Sequence, residues 1–335
     1  MSVSDATARR RVTASDVARA AGVSRATVGF VLNQTPGQTI SERTRARVIE
    51  ASVRLGYRPN GAAQVLASGR SRIIVLVLPD WPIEFRFRAF LDEASLALDE
   101  AGYSLVTQFR HPQGPARRLW ESVTPDLVVG VVPFTADDLA SLRACGVRRV
   151  LPDQSSTRPA EPDTSLASID GPRLQVEHLR ERGHERLAYA VFDEPRLSSL
   201  VSARHDAARS HAAALGLPAV DVRCLDYRDR GTDEVVRAWH DGGLTGIAAY
   251  NDDVAAAVVG AALRLGLRVP GDLAVVGHDD SPIATIMVPA LSSVRFDSAA
   301  LGRHFAALAL SRVDGRPPPT HEPPAHVTLI QREST

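Results

Sequence analysis

One face of a short predicted helix, residues 25–32, carries side chains that could read the bases of DNA. Its exposed positions are predicted to be Arg25, Ala26, Gly29 and Phe30. Arg25 is the best candidate, because a guanidinium can bond guanine O6 and N7 together. Phe30 could touch a thymine methyl group or could pack inward, and the sequence leaves both possibilities open. Gly29 costs roughly 1 kcal/mol of helix stability against alanine; close approach of the backbone to DNA could justify that cost, or the residue could have no role.

This helix is predicted to be the second of a pair joined by a tight turn. Thr13 and Asp16 have capping-box spacing at the start of the first helix, and apolar residues then recur at helical spacing. Gly22 accepts a turn conformation that other residues resist, and Ser24 is placed to cap the second helix. Two helices around a glycine turn are typical of a helix-turn-helix unit, whose second helix enters the major groove of DNA. An ordinary helical hairpin is the alternative.

A third helix is predicted from Ser41 to Leu55, where Gly56 ends it. The three helices would form a small head domain, and several of its polar side chains could contact DNA phosphates. Such contacts fix the register of a protein on the duplex but carry no sequence information. The predicted phosphate contacts are Ser24, Thr27, Asn33, Arg43, Arg45, Arg47 and Arg58. One or two of these arginines could instead be solvated surface charges.

The distribution of charge supports a polyanionic partner for the head alone. Residues 1–72 contain 12 arginines and four acidic residues, although the chain of 335 residues has a formal net charge of +0. The remainder of the chain therefore carries an excess of acidic side chains. A basic head on an acidic body indicates that the head binds a polyanion such as DNA.

From Ile73 onward, predicted strands and helices alternate. The first strand, residues 73–78, is a near-continuous β-branched and apolar run, which is typical of a strand buried on both faces. The alternation stops at a loop rich in Pro, Ser and Asp, residues 153–164, and then restarts. This pattern predicts a body of two α/β lobes with doubly wound parallel sheets. Ligands of such bodies bind outside the carboxyl ends of the strands and, between two lobes, in the cleft.

Motifs along nearly the whole chain, from about Thr13 to Gln331, resemble the lactose/galactose-repressor family of bacterial transcription regulators. The matching motifs are DVARAAGVS at 16–24, TV..VLN at 27–33, LGYRPN at 55–60, A..LASGRS at 63–71, EHL.ERGH at 177–184, NDD at 251–253 and GL.VP.DLAVVGHDD at 266–280. The resemblance implies a helix-turn-helix head at 1–59, a hinge helix at 60–70, and an effector-binding and dimerisation core at 71–335. The core would be like periplasmic sugar-binding proteins, with an N-terminal lobe at about 71–168 plus a return near 295–312, and a C-terminal lobe at about 169–290 plus the C-terminal segment.

The resemblance further implies a homodimer whose paired heads bind a palindromic DNA operator and whose hinge helices fold on that operator. A repressor is the expected function, with a small effector that is sugar-like or nucleoside-like. Ala63 and Leu66 match hinge positions of the family, and Leu66 would wedge into the minor groove at the operator's centre. Where the family commonly has Ser-Arg after TV, this chain has Gly29-Phe30. Its half-site should therefore differ from the usual family consensus.

The resemblance also suggests which residues contact the effector. Asn251 and Asp279 match polar cleft residues that members use on effector hydroxyls, although capping at strand ends would also explain them. The remaining candidates in matching positions are Asp80, Phe85, Asp153 and Tyr227, of which the two aromatics could instead be core residues. Asp206 stands where members have an arginine that grips the effector, and a carboxylate there would disfavour anionic effectors because it only accepts hydrogen bonds. Alternatively, Arg209 could pair with Asp206 and close the site.

Two other classes of protein share part of these features. The body alone would allow a solute-binding protein for transport, but the basic head and the lack of a signal-peptide apolar core argue against it. An enzyme is disfavoured because no nucleophile elbow, glycine-rich phosphate loop or metal-ligand spacing occurs. Cys145 and Cys224 match no metal or redox spacing and are expected to be reduced core residues. We therefore expect no cofactor, no metal, no membrane-spanning segment and a cytoplasmic location.

Overall fold

The computed structural model describes residues 12–32, 37–57, 70–111, 118–152, 170–226, 231–319 and 327–335. The chain divides into two compact units, Met1–Ser71 and Arg72–Thr335, which we call the head and the core. Six predicted site residues lie outside the described residues: Asn33, Arg58, Ala63, Leu66, Asp153 and Tyr227. The expectations for them, and for a hinge helix at 60–70, therefore stay predictions.

Three helices form the described part of the head. They are α1 (Ala14–Ala21), α2 (Arg25–Leu32) and α3 (Glu42–Leu55). The predicted capping box is present, since Thr13 accepts a hydrogen bond from the Asp16 amide and the Asp16 side chain accepts one from the Thr13 amide. Gly22 ends α1 in the left-handed conformation with φ of 63°, which glycine adopts readily. Val17 and Val28 are buried at the apolar centre of the three helices, and this packing turns the other face of α2 toward solvent.

The first lobe of the core contains a parallel sheet with strand order β2-β1-β3-β4. Its elements are β1 (Ile73–Pro79), α4 (Phe85–Glu100), β2 (Ser104–Arg110), β3 (Leu127–Gly130), α5 (Ala136–Ala144) and β4 (Val150–Leu151). Between β2 and β3, the described residues form a 3-10 turn, Leu119–Glu121. Pro125 follows closely and disfavours helical backbone in the residue before it.

The second lobe contains a larger sheet with strand order β10-β9-β8-β7-β5-β6. Its elements are α6 (Asp170–Glu181), β5 (Leu187–Phe192), α7 (Ser198–Ala214), β6 (Asp221–Leu225), α8 (Gly231–Asp241), β7 (Gly246–Ala249), α9 (Asp252–Arg264), β8 (Ala274–His278), α10 (Pro282–Ile286), β9 (Ser292–Phe296) and β10 (Val327–Ile330). The pairs are parallel except that β10 runs antiparallel to β9. The central strands β7 and β8 are buried along their whole length, as apolar runs in a parallel sheet require.

After β9 the chain returns to the first lobe. There α11 (Ser298–Asp314) packs along α4, at the place where a return near 295–312 is expected. Gly302 permits this close contact, because a Cβ at its position would lie 2.5 Å from the Phe90 carbonyl oxygen. The strands of the second lobe and the start of α4 thus belong to the same compact unit. Residues from both can therefore line one pocket.

The two cysteines are free thiols, but only Cys145 is partly buried, whereas Cys224 is exposed. The expectation that both are core residues is therefore wrong for Cys224. It lies on β6, which is the edge strand of the second sheet and has one side open to solvent. Among the helices that the structure describes, none is long and apolar enough to cross a membrane.

Candidate functional site

The outward face of α2 is accessible in the head. Arg25, Ala26 and Phe30 are exposed, and Phe30 keeps 36% of its surface accessible. Val28 and Val31 on the opposite face are buried. Phe30 therefore does not pack into the head core, which leaves its ring free for contact with a thymine methyl group, and that contact stays a prediction.

Hydroxyl side chains cap the N-terminus of α2. The Thr27 amide donates to Ser24 Oγ at 3.0 Å, and the two side-chain oxygens lie 2.9 Å apart. The first turn of a helix presents amide groups and a partial positive charge that favour an anion such as phosphate. Ser24 and Thr27 thus lie at a suitable end of the helix for the phosphate contacts predicted for them.

The remaining predicted head positions differ in their exposure and in their contacts. Arg43 and Arg47 are exposed on α3, and Arg45 is half-buried at 3.8 Å from Glu42. A surface pair of this kind contributes little to stability, so Arg45 can turn to another anion. Gly29 has no heavy atom within 4 Å of a Cβ built at its position. Packing within the described head therefore does not require glycine there.

A pocket of about 420 Å³ lies in the core between the two lobes. Four chain segments line it: residues 82–85, Phe192 with Glu194, residues 251–253, and residues 278–279 with 281–283. These segments follow β1, β5, β7 and β8, so the pocket lies at the carboxyl ends of parallel strands, where α/β proteins bind ligands. Its volume falls in the range of small-molecule sites, roughly 300–1,000 Å³.

A buried ion pair joins α7 to the end of β8 beside this pocket. Arg204 is only 2% exposed; its Nη2 lies 3.3 Å from Asp279 Oδ1, and its Nη1 donates to the Tyr250 carbonyl oxygen at 2.6 Å. The guanidinium also lies 4.5 Å from the centroid of the Tyr250 ring. Burial opposes ionisation of Asp279, but Arg204 and the His278 ring hold the pKa of that carboxyl well below its usual range. Asp279 is therefore an ionised acceptor.

His278 is the second partner of Asp279. Its ring is fully buried, and Nδ1 lies 2.6 Å from Asp279 Oδ1. Burial and the charge of Arg204 lower the pKa of His278 to about 4, so at neutral pH the ring is neutral and carries its proton on Nδ1, from which it donates to the carboxylate. On the other side of the ring, a Cβ at Gly171 would lie 2.1 Å from Nε2. Only glycine at the start of α6 allows this ring position.

Glu84 reaches from the first lobe to the second. Its Oε1 accepts a hydrogen bond from Asn251 Nδ2 at 3.0 Å, and its Oε2 accepts one from the Tyr250 hydroxyl at 3.4 Å. Burial and the nearby Asp279 raise the pKa of Glu84. Asn251 Oδ1 meanwhile accepts from the Val254 amide at 3.0 Å and caps α9. Helix capping and a polar contact in the cleft are therefore compatible roles for the same residue.

Asp252 is a buried carboxyl in the wall of the pocket. It is 1% exposed, and it accepts hydrogen bonds from Ser293 Oγ at 2.5 Å and from the Ser281 amide at 2.6 Å. Burial raises the pKa of Asp252 to about 7, against the opposing effect of these hydrogen bonds. The pocket thus contains a carboxyl group that changes its protonation near neutral pH.

The charged residues among the described lining of the pocket are acidic. They are Glu84, Glu194, Asp252, Asp253 and Asp279. Arg204 is not a lining residue, since it is buried and covered by the Tyr250 ring. Phe85 and Phe192 add aromatic surface to the same walls. The surface offered to a ligand therefore combines hydrogen-bond acceptors with apolar rings.

The structure corrects the prediction for Asp206. Its side chain is 66% exposed and lies 3.9 Å from Arg209 on the surface of α7, and it does not line the described pocket. Arg204 occupies the buried position instead, because two residues along a helix rotate a side chain by about 200°. The Asp206–Arg209 pair is a surface contact and does not close the cleft.

The other predicted core residues fall into two groups. Phe85, Asn251 and Asp279 line the interlobe pocket, although no bound ligand tests their role. Asp80 lies 2.9 Å from His111 Nδ1 and is not among the described lining residues.

Sequence reasoning missed the partners that hold the site together: Arg204, Glu84, Tyr250 and His278. Only Arg204 had a usable signal, since Arg204, Ala208 and Ala212 recur every four residues on the buried face of α7.

A helix-turn-helix head together with a two-lobed α/β core defines the class of ligand-responsive DNA-binding regulators. Residues 13–60 match the bacterial regulatory proteins of the lacI family, and residues 176–335 match a periplasmic binding protein-like domain. The transcriptional regulator CelR of Thermobifida fusca is 32% identical over 347 residues, covering 97% of this chain and 99% of the relative. The chain therefore belongs to the LacI family of DNA-binding transcriptional regulators.

Solved structures agree with this fold along the chain. The Lac repressor dimer bound to operator and the anti-inducer ONPF is similar with a TM-score of 0.75 and 24% identity, covering 97% of this chain and 99% of that one. A complex of the transcriptional regulator CelR with cellobiose is similar with a TM-score of 0.59 and 26% identity, covering 97% and 100%. The first of these likenesses concerns the fold alone.

Proposed function

We propose that this regulator is a repressor that binds a palindromic DNA operator as a homodimer and responds to a small polar effector in the interlobe pocket. The observation that carries the proposal is the pocket, in which Asn251, Asp279 and Glu84 converge at the carboxyl ends of strands. The accessible basic face of the head supports the DNA half of the proposal. A solute-binding protein without a DNA role would have no use for this face. We assign the protein to the cytoplasm, where operator DNA lies, and assign it no catalytic activity.

The effector is proposed to be uncharged or cationic and rich in hydrogen-bond donors. The described pocket offers the carboxylates of Glu84 and Asp279 as acceptors, and the charge of Arg204 is already engaged by Asp279. An anionic ligand would meet like charges at short range, which is unfavourable in a partly buried site. Aromatic walls at Phe85 and Phe192 suit the apolar face of a sugar or nucleoside ring. The solved complex of a CelR regulator with cellobiose, a neutral disaccharide, is compatible with this chemistry.

A gel-shift assay of the full-length protein on DNA flanking its own coding sequence tests the proposal. We expect a shifted complex with one symmetric site per dimer, and release or strengthening of the complex by a neutral or cationic polar metabolite from a library. Head variants of Arg25 and Arg43 serve as controls for specific binding. Failure to bind any flanking DNA in the presence or absence of the library would refute the regulatory role at these sites.

Arg25→Ala should weaken operator binding by about 1–3 kcal/mol and relax the preference at one symmetric base-pair position, because a bidentate arginine–guanine contact has that magnitude. Selection of preferred DNA sites by the wild type and by the variant gives the comparison. Arg54→Ala, which removes an exposed arginine near the end of α3, is the matched control and should leave the selected sequence unchanged. An identical site preference in wild type and Arg25→Ala would exclude Arg25 from base reading.

Glu84→Gln should reduce the preference for an amine-bearing effector over its hydroxyl analogue by roughly tenfold, since a hydrogen bond to a charged group is worth about 1.5–3 kcal/mol. The measurement is calorimetric titration of the full-length protein with the effector found in the screen and with its amine and hydroxyl analogues. Glu93→Gln is the control, because Glu93 pairs with Arg303 in the first lobe and does not line the pocket. An unchanged preference in Glu84→Gln would remove Glu84 from ligand recognition.

A further inference from the structure

A second pocket of the core, in the first lobe, has the opposite charge to the interlobe pocket. It has a volume of about 340 Å³ and lies between α5, β4 and the end of α11. Four arginines line it: Arg143, Arg148, Arg149 and Arg312. No acidic residue is among its described lining. This is unusual in a core whose sequence carries more acidic than basic side chains.

The four guanidiniums are distinguished by their lack of partners within the described residues. Other arginines of the first lobe form close ion pairs; Arg118 and Arg110 both contact Asp138, at 3.0 and 2.9 Å. The four pocket arginines have no ion pair and no side-chain hydrogen bond in the described parts of the chain. Like charges gathered around one cavity repel each other, and a bound anion would remove that repulsion.

The floor of this pocket is apolar. Leu127, Leu142 and Val147 are buried beneath the arginines. Arginine presents a planar fork of donors that matches phosphate and carboxylate groups, and the apolar floor suits the carbon skeleton that carries them. The concave shape and the volume fit a small molecule better than a flat macromolecular surface.

We propose that this arginine pocket binds a small multivalent anion, namely a phosphate ester or a polycarboxylate, at a site separate from the interlobe pocket. The two sites then differ in the charge of the ligand that each accepts, since acidic residues line one and arginines line the other. The regulator would be able to sense a second metabolite class. This inference stands on the first lobe alone and is independent of what the interlobe pocket binds.

The test is calorimetric titration and thermal shift of the full-length protein with pyrophosphate and with citrate at constant ionic strength. We expect saturable binding of at least one of the two anions. Tighter binding of pyrophosphate would indicate a phosphate ligand, and tighter binding of citrate would indicate a carboxylate ligand. The double variant Arg148→Gln/Arg149→Gln should bind at least about tenfold more weakly, because each removed guanidinium takes away charge-assisted hydrogen bonds. Arg237→Gln is the matched control, since Arg237 is an exposed arginine of α8 without a described partner and lies outside the pocket; it should bind as the wild type does.

Four results would overturn the proposal. One is a response of the wild type to both anions that sodium chloride of equal ionic strength reproduces. Another is equal affinity in the wild type and in the double variant. The third concerns residues 153–169, which follow β4 and include Asp153, Glu161 and Asp163. If anions bind only after these three carboxylates are neutralised by Asp153→Asn, Glu161→Gln and Asp163→Asn, the chain itself fills the pocket. Loss of DNA binding in the double variant without any anion binding would assign the arginines to nucleic acid instead.

Discussion

Replacing Arg204 with methionine is expected to lower the free energy of unfolding of the protein by about 3–5 kcal/mol. Removing one partner of a buried ion pair costs this much because it leaves the other charge desolvated and uncompensated. Asp279 would be that charge, since it is buried at the end of β8. Burial alone would raise the pKa of its carboxyl, and Arg204 is the main group that lowers it. The Tyr250 carbonyl oxygen would also lose its donor at 2.6 Å. Methionine retains a similar side-chain length, so the loss is one of charge and hydrogen bonding.

Denaturant unfolding of the full-length protein measures this change in the transition of the core. The double variant Arg204→Met/Asp279→Asn should be more stable than Arg204→Met alone, because no buried carboxylate is then left without a counter-charge. Asp206→Ala is the control on the same helix and should change the free energy of unfolding by no more than about 0.5 kcal/mol, as an exposed substitution does. A large loss in Asp206→Ala together with a small loss in Arg204→Met would reverse the assignment of the buried position.

The head could be predicted closely from the sequence because its signals are local. The capping box at Thr13 and Asp16, the left-handed turn at Gly22 and the 3.6-residue spacing of apolar positions all act within a few residues. The bounds of α2 agree with the prediction for the same reason. The outward position of Phe30 was left open by the sequence. The packing of the head decides it, because Val28 and Val31 fill the inward face of α2 and leave no room there for Phe30.

The cleft could be predicted in outline but not in its contacts. Parallel strands bring their carboxyl ends to one edge, where ligands bind, and the family resemblance placed Asn251 and Asp279 in that cleft. The bond from Asn251 to Glu84 joins residues 167 positions apart, and no local pattern encodes such a pairing. Arg204 is the instructive error. The family resemblance placed Asp206 in the effector position, whereas the four-residue spacing of Arg204 with Ala208 indicates the buried face of the helix.

The arginine pocket, too, could not be predicted from local sequence patterns. Arg143 and Arg312 are 169 positions apart and belong to two helices that meet only through the return of the chain to the first lobe. Taken singly, each of these two arginines is typical of a surface charge near a helix C-terminus, where cations are favoured. Their convergence on one cavity is a property of the tertiary fold.

The protein is expected to lose stability as the pH rises from about 4 to 7 through the titration of Asp252. Its pKa is 3.8 in the unfolded reference and about 7 in the folded chain, so over this window the folded state holds a proton that the unfolded state has released. Stability contributed by the protonated carboxyl is therefore fully present below the unfolded pKa and is lost as pH rises through the folded pKa. The shift of about three units corresponds to a change on the order of 4 kcal/mol. Above pH 7 the contribution becomes constant.

Comparison of the wild type with Asp252→Asn isolates this effect, because asparagine does not titrate and every other group contributes equally to both proteins. The difference in unfolding free energy between the two proteins should change steadily from pH 4 to 7 in favour of the variant, and should then level off. Asp253→Asn is the matched control: Asp253 is the exposed neighbour on α9, and its variant should follow the wild-type pH profile. Parallel profiles for wild type and Asp252→Asn between pH 4 and 7 would mean that Asp252 stays ionised throughout, held by Ser293 Oγ and the Ser281 amide. In that case the hydrogen bonds, and not burial, would determine the charge in this wall of the pocket.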